Sequence, residues 1–151
     1  FSSRAASIWK SSGQPPPPPL DLSILGSGIK FLPPIYWQAG MLFTGARDES
    51  LKEHTGVFPQ TMRSPKSTHP LFVLQPLRNL AHRVCPCSSK DWGSARVIRK
   101  GCVLQYTERV IDRDIFPVES CSFNLPMDPE FTRHLFFFGR VPEECLEVRA
   151  S

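Results

Sequence analysis

The residues best placed to do chemistry lie between His69 and Lys90, in the stretch HPLFVLQPLRNLAHRVCPCSSK. Leu71 to Leu74 form an apolar run that reads as a buried strand, and Val84 to Cys87 read as its returning partner. The second strand then delivers Ser88, Ser89 and Lys90 to its end. Two hydroxyls and an ammonium at one strand end make a rim suited to an anion, because all three are hydrogen-bond donors and one carries positive charge.

The elements that must position this rim are short strands. Ile35-Tyr36-Trp37 is aromatic and β-branched and predicts a first strand running towards Phe43. Residues 45 to 67 are polar, with Gly and Pro punctuation, and predict a long loop with a helical turn around Ser50 to His54. Leu71 to Gln75 and Val84 to Ser88 are the second and third strands. Ala95 to Ile98 is a short one, broken by Gly101 and continued over Cys102 to Thr107. Phe116 to Phe123 is another, with Pro117 marking an edge or a bulge. Asp128-Pro129-Glu130 has the form of a helix start: a capping Asp, Pro at the first helical position and an acid in the first turn. Phe131, Leu135 and Phe138 then recur at roughly helical spacing up to Gly139, and Val141-Pro142-Glu143-Glu144 opens a second helix. The expected fold class is α+β, mainly β: a small barrel with one or two C-terminal helices.

Composition narrows the class further. Sixteen prolines in 151 residues argue against a helical bundle. Eleven phenylalanines against two tyrosines and three tryptophans imply that many aromatics are buried. Residues 1–30, with five consecutive prolines at 15–19, read as a disordered Pro-rich tail, and residues 31–151 as one domain. The net charge of +4 permits a polyanionic partner without demanding one. Arg4 and Lys10 precede no long apolar core, so no signal peptide is expected. No apolar run approaches the ~20 residues that span a bilayer, and no membrane association is expected. Five cysteines, odd in number and irregular in spacing, predict reduced thiols and a cytoplasmic location. His82, Cys85 and Cys87 lack a second ligand pair, so neither a metal site nor a cofactor is expected.

The order of these pieces resembles the PemK/MazF family of toxin endoribonucleases. Ile35-Tyr36-Trp37 is similar to the aromatic/aliphatic motif of the family's first strand. His69-Pro70-Leu71-Phe72-Val73-Leu74-Gln75 is similar to its basic residue, Pro and apolar strand. Val84-Cys85-Pro86-Cys87-Ser88-Ser89-Lys90 is similar to a strand ending in apolar-Pro-x-Thr-Ser-Lys. Val118-Glu119-Ser120 loosely matches Val-acid-Gln, and Val141-Pro142-Glu143-Glu144 a short terminal helix. The likeness covers roughly residues 31 to 149. Three positions depart from the pattern: His69 stands for the family's Arg, Ser88 for its Thr, and Ser122-Phe123 where a basic residue usually follows Val-acid-Gln.

The resemblance implies an SH3-like barrel and metal-independent cleavage of single-stranded RNA, in which a 2′-hydroxyl attacks the adjacent phosphorus and expels the 5′-oxygen. That reaction needs a base, an acid and donors for the developing charge. His69 and Ser88 are the candidate catalytic residues. Imidazole titrates near neutrality and can serve as base or acid, and the hydroxyl can donate to a phosphate oxygen. Arg63, Lys66, Ser89, Lys90 and Arg96 are the candidate backbone-binding residues, with Arg99 and Lys100 beside Arg96. Tyr36 and Trp37 can stack on unpaired bases. Each has a plainer alternative: a surface histidine, a turn-forming serine, a solvated charged face, an aromatic core. The resemblance also implies an inhibitory antitoxin partner and a homodimer. A non-catalytic SH3-like module that binds RNA or a protein partner is the alternative from a different class.

Overall fold

The computed structural model describes residues 31–64 and 66–149. The tail proposed for residues 1–30 lies outside them. Among the described residues eight strands and two α-helices follow in chain order: β1 (Met41–Arg47), α1 (Asp48–Thr55), β2 (Thr68–Pro76), β3 (His82–Ser88), β4 (Arg96–Ile98), β5 (Phe116–Pro117), β6 (Phe123–Leu125), α2 (Pro129–Thr132), β7 (Phe136–Arg140) and β8 (Leu146–Val148). Six strands form one antiparallel sheet in the order β5-β3-β2-β1-β7, with β6 also paired to β3, while β4 and β8 pair separately. Among the described residues no sheet closes on itself. The α+β, mainly β class therefore holds, in the form of an open sheet.

The sheet is buried on both faces, which is why its strands read as unbroken apolar runs. Side chains alternate between faces along each strand. Met41, Phe43, Leu71, Val73, Val84 and Phe137 enter one core with Trp37, Leu51 of α1 and Phe131 of α2. Leu42, Phe72, Cys85 and Cys87 enter the other, with Ile98, Cys102, Leu104 and Ile111 laid across that face. His82 belongs to the first face, its ring 5.0 Å from that of Trp37. It is thus separated by the sheet from Cys85 and Cys87.

Burial holds His82 down to about pKa 4, partly opposed by a hydrogen bond to the Leu80 backbone. The unfolded side chain titrates near ~6.5, so from there down to about pH 4 only the unfolded state takes up this proton. Stability is therefore complete above that range and falls as pH drops through it, by about 2 kcal/mol at pH 5. Urea unfolding at pH 7 and pH 5 is expected to show this loss, and His82→Leu to remove that part of it. An unchanged pH slope in His82→Leu would contradict the assignment.

Several sequence expectations give way to local sterics. Ile35-Tyr36-Trp37 does not begin a strand. Pro34 opens a 3₁₀ turn over Pro34–Tyr36, and β1 starts only at Met41, because proline lacks the N–H that a ladder needs. Cys102 to Thr107 is no strand either: its only ladder contacts are isolated bridges at Val103 and Gln105. Positive φ at Tyr106 (73°) and Glu108 (58°) bends it into a tight hairpin. Phe116 to Phe123 splits into β5, a 3₁₀ turn over Glu119–Cys121, and β6. β5 is an edge strand, in keeping with Pro117.

The C-terminal helices are corrected most. Asp128 does cap α2, accepting the Glu130 N–H at 3.1 Å, but α2 ends at Thr132. The run Phe136-Phe137-Phe138 is a strand in which half-buried and buried positions alternate, since consecutive aromatics suit a pleated surface better than a helix. Gly139 is not a helix stop. It sits inside β7 at φ +149°, where a Cβ would come 2.5 Å from Leu104 Cβ and 2.7 Å from Thr107 Oγ1. The second expected helix is a 3₁₀ turn, Glu143–Cys145, followed by β8.

The thiol expectation is corrected as well. Cys102 and Cys145 form a disulfide, while Cys85, Cys87 and Cys121 are free and buried. Disulfides persist chiefly in oxidising compartments, so the thiol argument for a cytoplasmic location loses its premise. Among the described residues no helix is long and apolar enough to cross a membrane.

Candidate active site

A cleft of about 880 Å³ opens at the end of the sheet where β2 begins and β3 ends, a size within the usual ~300–1,000 Å³ of ligand pockets. Its walls come from the start of β2 (Thr68, His69, Pro70), the end of β3 (Ser88, Ser89, Lys90), the loop after α1 (Phe58, Arg63, Ser67) and the hairpin segment Ile111, Asp112, Arg113. Asp48 at the start of α1 and Trp92 complete it.

His69 and Ser88 reach the same cleft from the ends of neighbouring strands. Antiparallel pairing sets Leu71 opposite Pro86. His69 lies two residues before Leu71 and Ser88 two residues after Pro86, at the strand ends that open into the cleft. β1 supplies the third member. Its register with β2 shifts between Phe43 and Ala46, after which Ala46 pairs with His69 and Arg47 with Thr68. Gly45 makes the shift possible at φ +93°, where a side chain would run into the His134 carbonyl oxygen. The chain then turns directly into α1, so Asp48 lies beside His69.

Asp48 is 2% exposed, and its Oδ1 lies 2.6 Å from His69 Nδ1. A carboxylate only accepts, so Nδ1 carries a proton, and in the neutral imidazole Nε2 keeps its lone pair. The other carboxylate oxygen, Oδ2, lies 2.6 Å from the Ser67 hydroxyl. That hydroxyl is also 2.7 Å from the Ser64 carbonyl. Its single proton goes to the carboxylate, the stronger acceptor. The Asp48 N–H in turn donates to the Ser67 carbonyl at 2.8 Å. Asp48 and Glu49 occupy the first helical turn, where the macrodipole favours negative charge. The imidazole is thereby fixed in tautomer and orientation, and Phe58 packs edge-on against it at 5.0 Å.

Ser88 is buried, and its Oγ accepts the Lys90 N–H at 3.0 Å. The turn-forming role is therefore filled, and the hydroxyl proton is still free to be donated. Arg63, Ser89 and Lys90 are exposed in the same cleft. Among the described residues neither the Arg63 nor the Lys90 side chain has an ion-pair partner. Arg113 adds a third cation, 3.3 Å from exposed Asp112. With Asp48 already engaged, the open surface of the cleft is positive.

The other candidates go elsewhere. Lys66 is exposed in the preceding loop but does not line the cleft. Arg96 is also outside it, held by Glu119 through two 3.0 Å hydrogen bonds. Arg99 pairs with Glu147 and Asp114. Trp37 is 1% exposed and donates its indole N–H to the Leu32 carbonyl at 2.8 Å, so it is core and no base can stack on it. Tyr36 packs, half-buried, against the same core. Asp48, Ser67, Phe58 and Trp92 escaped the sequence reading. The acidic start of α1 was the one available signal for Asp48, because its partner lies 21 residues away.

No family model, curated protein or solved structure matches the chain.

Proposed function

We propose that this chain is a metal-independent endoribonuclease acting on single-stranded RNA, a divergent relative of the PemK/MazF toxins. The observation that carries the reading is the buried Asp48 carboxylate holding His69 Nδ1 at 2.6 Å inside a basic cleft. His69 Nε2 takes the proton of a 2′-hydroxyl. The 2′-oxygen attacks phosphorus, and Ser88 donates to a non-bridging oxygen as charge builds there. Arg63, Ser89 and Lys90 hold the phosphate backbone, and Lys90 protonates the departing 5′-oxygen. The 2′,3′-cyclic phosphate leaves as the product, and the site resets when the imidazolium gives its proton to water and Lys90 regains one from water. An SH3-like barrel ancestry, a homodimer, a cytoplasmic setting and an inhibitory antitoxin belong to the same proposal and rest on the resemblance alone.

The rival is a module that binds RNA or a protein without cleaving it. What favours it is that His69 and Ser88 both have structural work, one tying α1 to β2 and the other shaping a turn.

Incubation with single-stranded RNA in excess EDTA separates the two. Cleavage leaving 2′,3′-cyclic phosphate ends is expected, with DNA of the same sequence untouched. His69→Ala is expected to lower the rate about 10²–10⁴-fold, and Ser88→Ala about 10²-fold or more. Binding without cleavage would favour the module. Cleavage that EDTA abolishes, or that survives His69→Ala, would sink the proposal.

A further inference from the structure

The cleft contains an aromatic surface that the chemistry above does not use. Trp92 is half-buried, lines the cleft and lies two residues beyond the Lys90 ammonium. Its ring centroid is 5.0 Å from that of Phe58, tilted by 48°. Phe58 is 1% exposed, and its ring meets His69 at 5.0 Å nearly at right angles. Phe58 is thus a buttress with no surface of its own to offer, while Trp92 has area left open. The row Trp92–Phe58–His69 leads from an aromatic platform to the imidazole.

Trp92 is also held by its neighbours. Asp91 Oδ1 accepts the N–H groups of Gly93 at 2.8 Å and Ser94 at 3.3 Å. Its Oδ2 lies 2.7 Å from the Arg149 guanidinium. That guanidinium and the turn N–H groups hold the Asp91 carboxyl below the usual carboxylate range, at about pKa 2, so the brace is ionised at neutral pH. A loop residue fixed this way presents its ring at little conformational cost.

We propose that Trp92 is the stacking platform for one unpaired base of the RNA, next to the scissile phosphate. Flanking charge favours this occupant: Lys90 and Arg63 lie in the same cleft, and a nucleotide joins a flat π-face to an adjacent phosphate charge. A face that reads any π-surface discriminates poorly between bases, so the subsite confers a requirement for an unpaired base rather than for a sequence. The inference rests on the endoribonuclease reading for its substrate, but it is tested by binding.

The probe is a fully 2′-O-methylated RNA heptamer, which cannot be cleaved, titrated against the full chain by fluorescence anisotropy and by tryptophan emission. Trp92→Ala is expected to weaken binding about 5- to 150-fold, the usual cost of losing one stacked base. Trp92→Phe, which keeps a π-face, is expected to retain most of the affinity; with Trp9 also replaced by Phe and Trp37 buried, it is expected to lose the emission quench. An abasic heptamer with the same phosphates is expected to bind the wild type as weakly as the normal heptamer binds Trp92→Ala. This comparison needs no folded variant. Equal affinity for abasic and normal heptamers, or unchanged affinity in Trp92→Ala, overturns the platform even if the chain cleaves RNA. Quenching and stacking without any cleavage would overturn the nuclease reading and leave the platform standing. Preference for an acidic peptide over the heptamer would overturn both.

Discussion

Asp48→Asn is expected to cut RNA cleavage by about 10²–10⁴-fold while leaving the chain folded. The substitution keeps the shape of the side chain but turns one oxygen into a donor. An amide N–H facing His69 Nδ1 demands an acceptor there, so the imidazole proton moves to Nε2. The nitrogen facing the cleft then has no lone pair with which to take the 2′-hydroxyl proton. Asp48 touches no substrate in this scheme and acts through His69 as a positioning residue. A purely structural role would also predict some loss, so the decisive readout is the tautomer. Nitrogen chemical shifts of the His69 ring should report Nδ1–H in the wild type and Nε2–H in Asp48→Asn. A variant that switches tautomer and still cleaves at the wild-type rate would remove His69 from the base role. The Ser67 hydroxyl can turn to the amide oxygen or to the Ser64 carbonyl 2.7 Å away, so the loop keeps its anchor.

Trp37→Ala is expected to destabilise the protein by about 3–5 kcal/mol, the range for emptying a large aromatic site, against a total stability of about 5–15 kcal/mol for a domain of this size. Trp37 is 1% exposed and packs its ring 4.5 Å from Phe43 and 5.0 Å from His82. Its indole N–H satisfies the buried Leu32 carbonyl at 2.8 Å. Removing the side chain leaves a cavity at the centre of the first core and an acceptor without a partner. Urea denaturation measures the loss. Trp37→Phe fills most of the volume and forfeits mainly the hydrogen bond, about 1–3 kcal/mol. RNA affinity of the folded Trp37→Phe protein is expected to match the wild type, the opposite of the outcome at Trp92→Ala. A large affinity loss in Trp37→Phe without loss of stability would reverse the assignments of the two tryptophans.

The two tryptophans mark how far sequence reading reaches. Both sit beside aromatic or polar neighbours that permit stacking. Which one faces solvent depends on where the chain turns. Pro33 and Pro34 start a 3₁₀ turn that carries Trp37 under the sheet, whereas the Asp91 brace holds Trp92 at the cleft. The basic residues divide in the same manner. Lys90 and Arg63 reach the cleft, while Arg96 is neutralised by Glu119, 23 positions further along the chain.

What the sequence determined by itself was local. The apolar runs at Leu71–Gln75 and Val84–Ser88 are short, carry β-branched and aromatic residues and are bounded by Pro or polar residues, which favours buried strands, and they lie within β2 and β3. Their polarity switch at Ser88 placed hydroxyls and a lysine at a strand end. The Asp128 cap and the edge position of Pro117 follow from backbone hydrogen bonding that each residue carries with it. Tertiary structure decided what depends on partners far along the chain. It made a strand of Phe136–Arg140 by pairing it with β1, joined Cys102 to Cys145 across 43 residues, and set Asp48 against His69 through the bulge at Gly45. Local preference is worth tenths of a kcal/mol per residue, whereas burial of a whole aromatic or a charged hydrogen bond is worth several times that. The rim at the end of β3 was therefore visible from composition and order, and the acid-base pair facing it arose only when three strands were laid side by side.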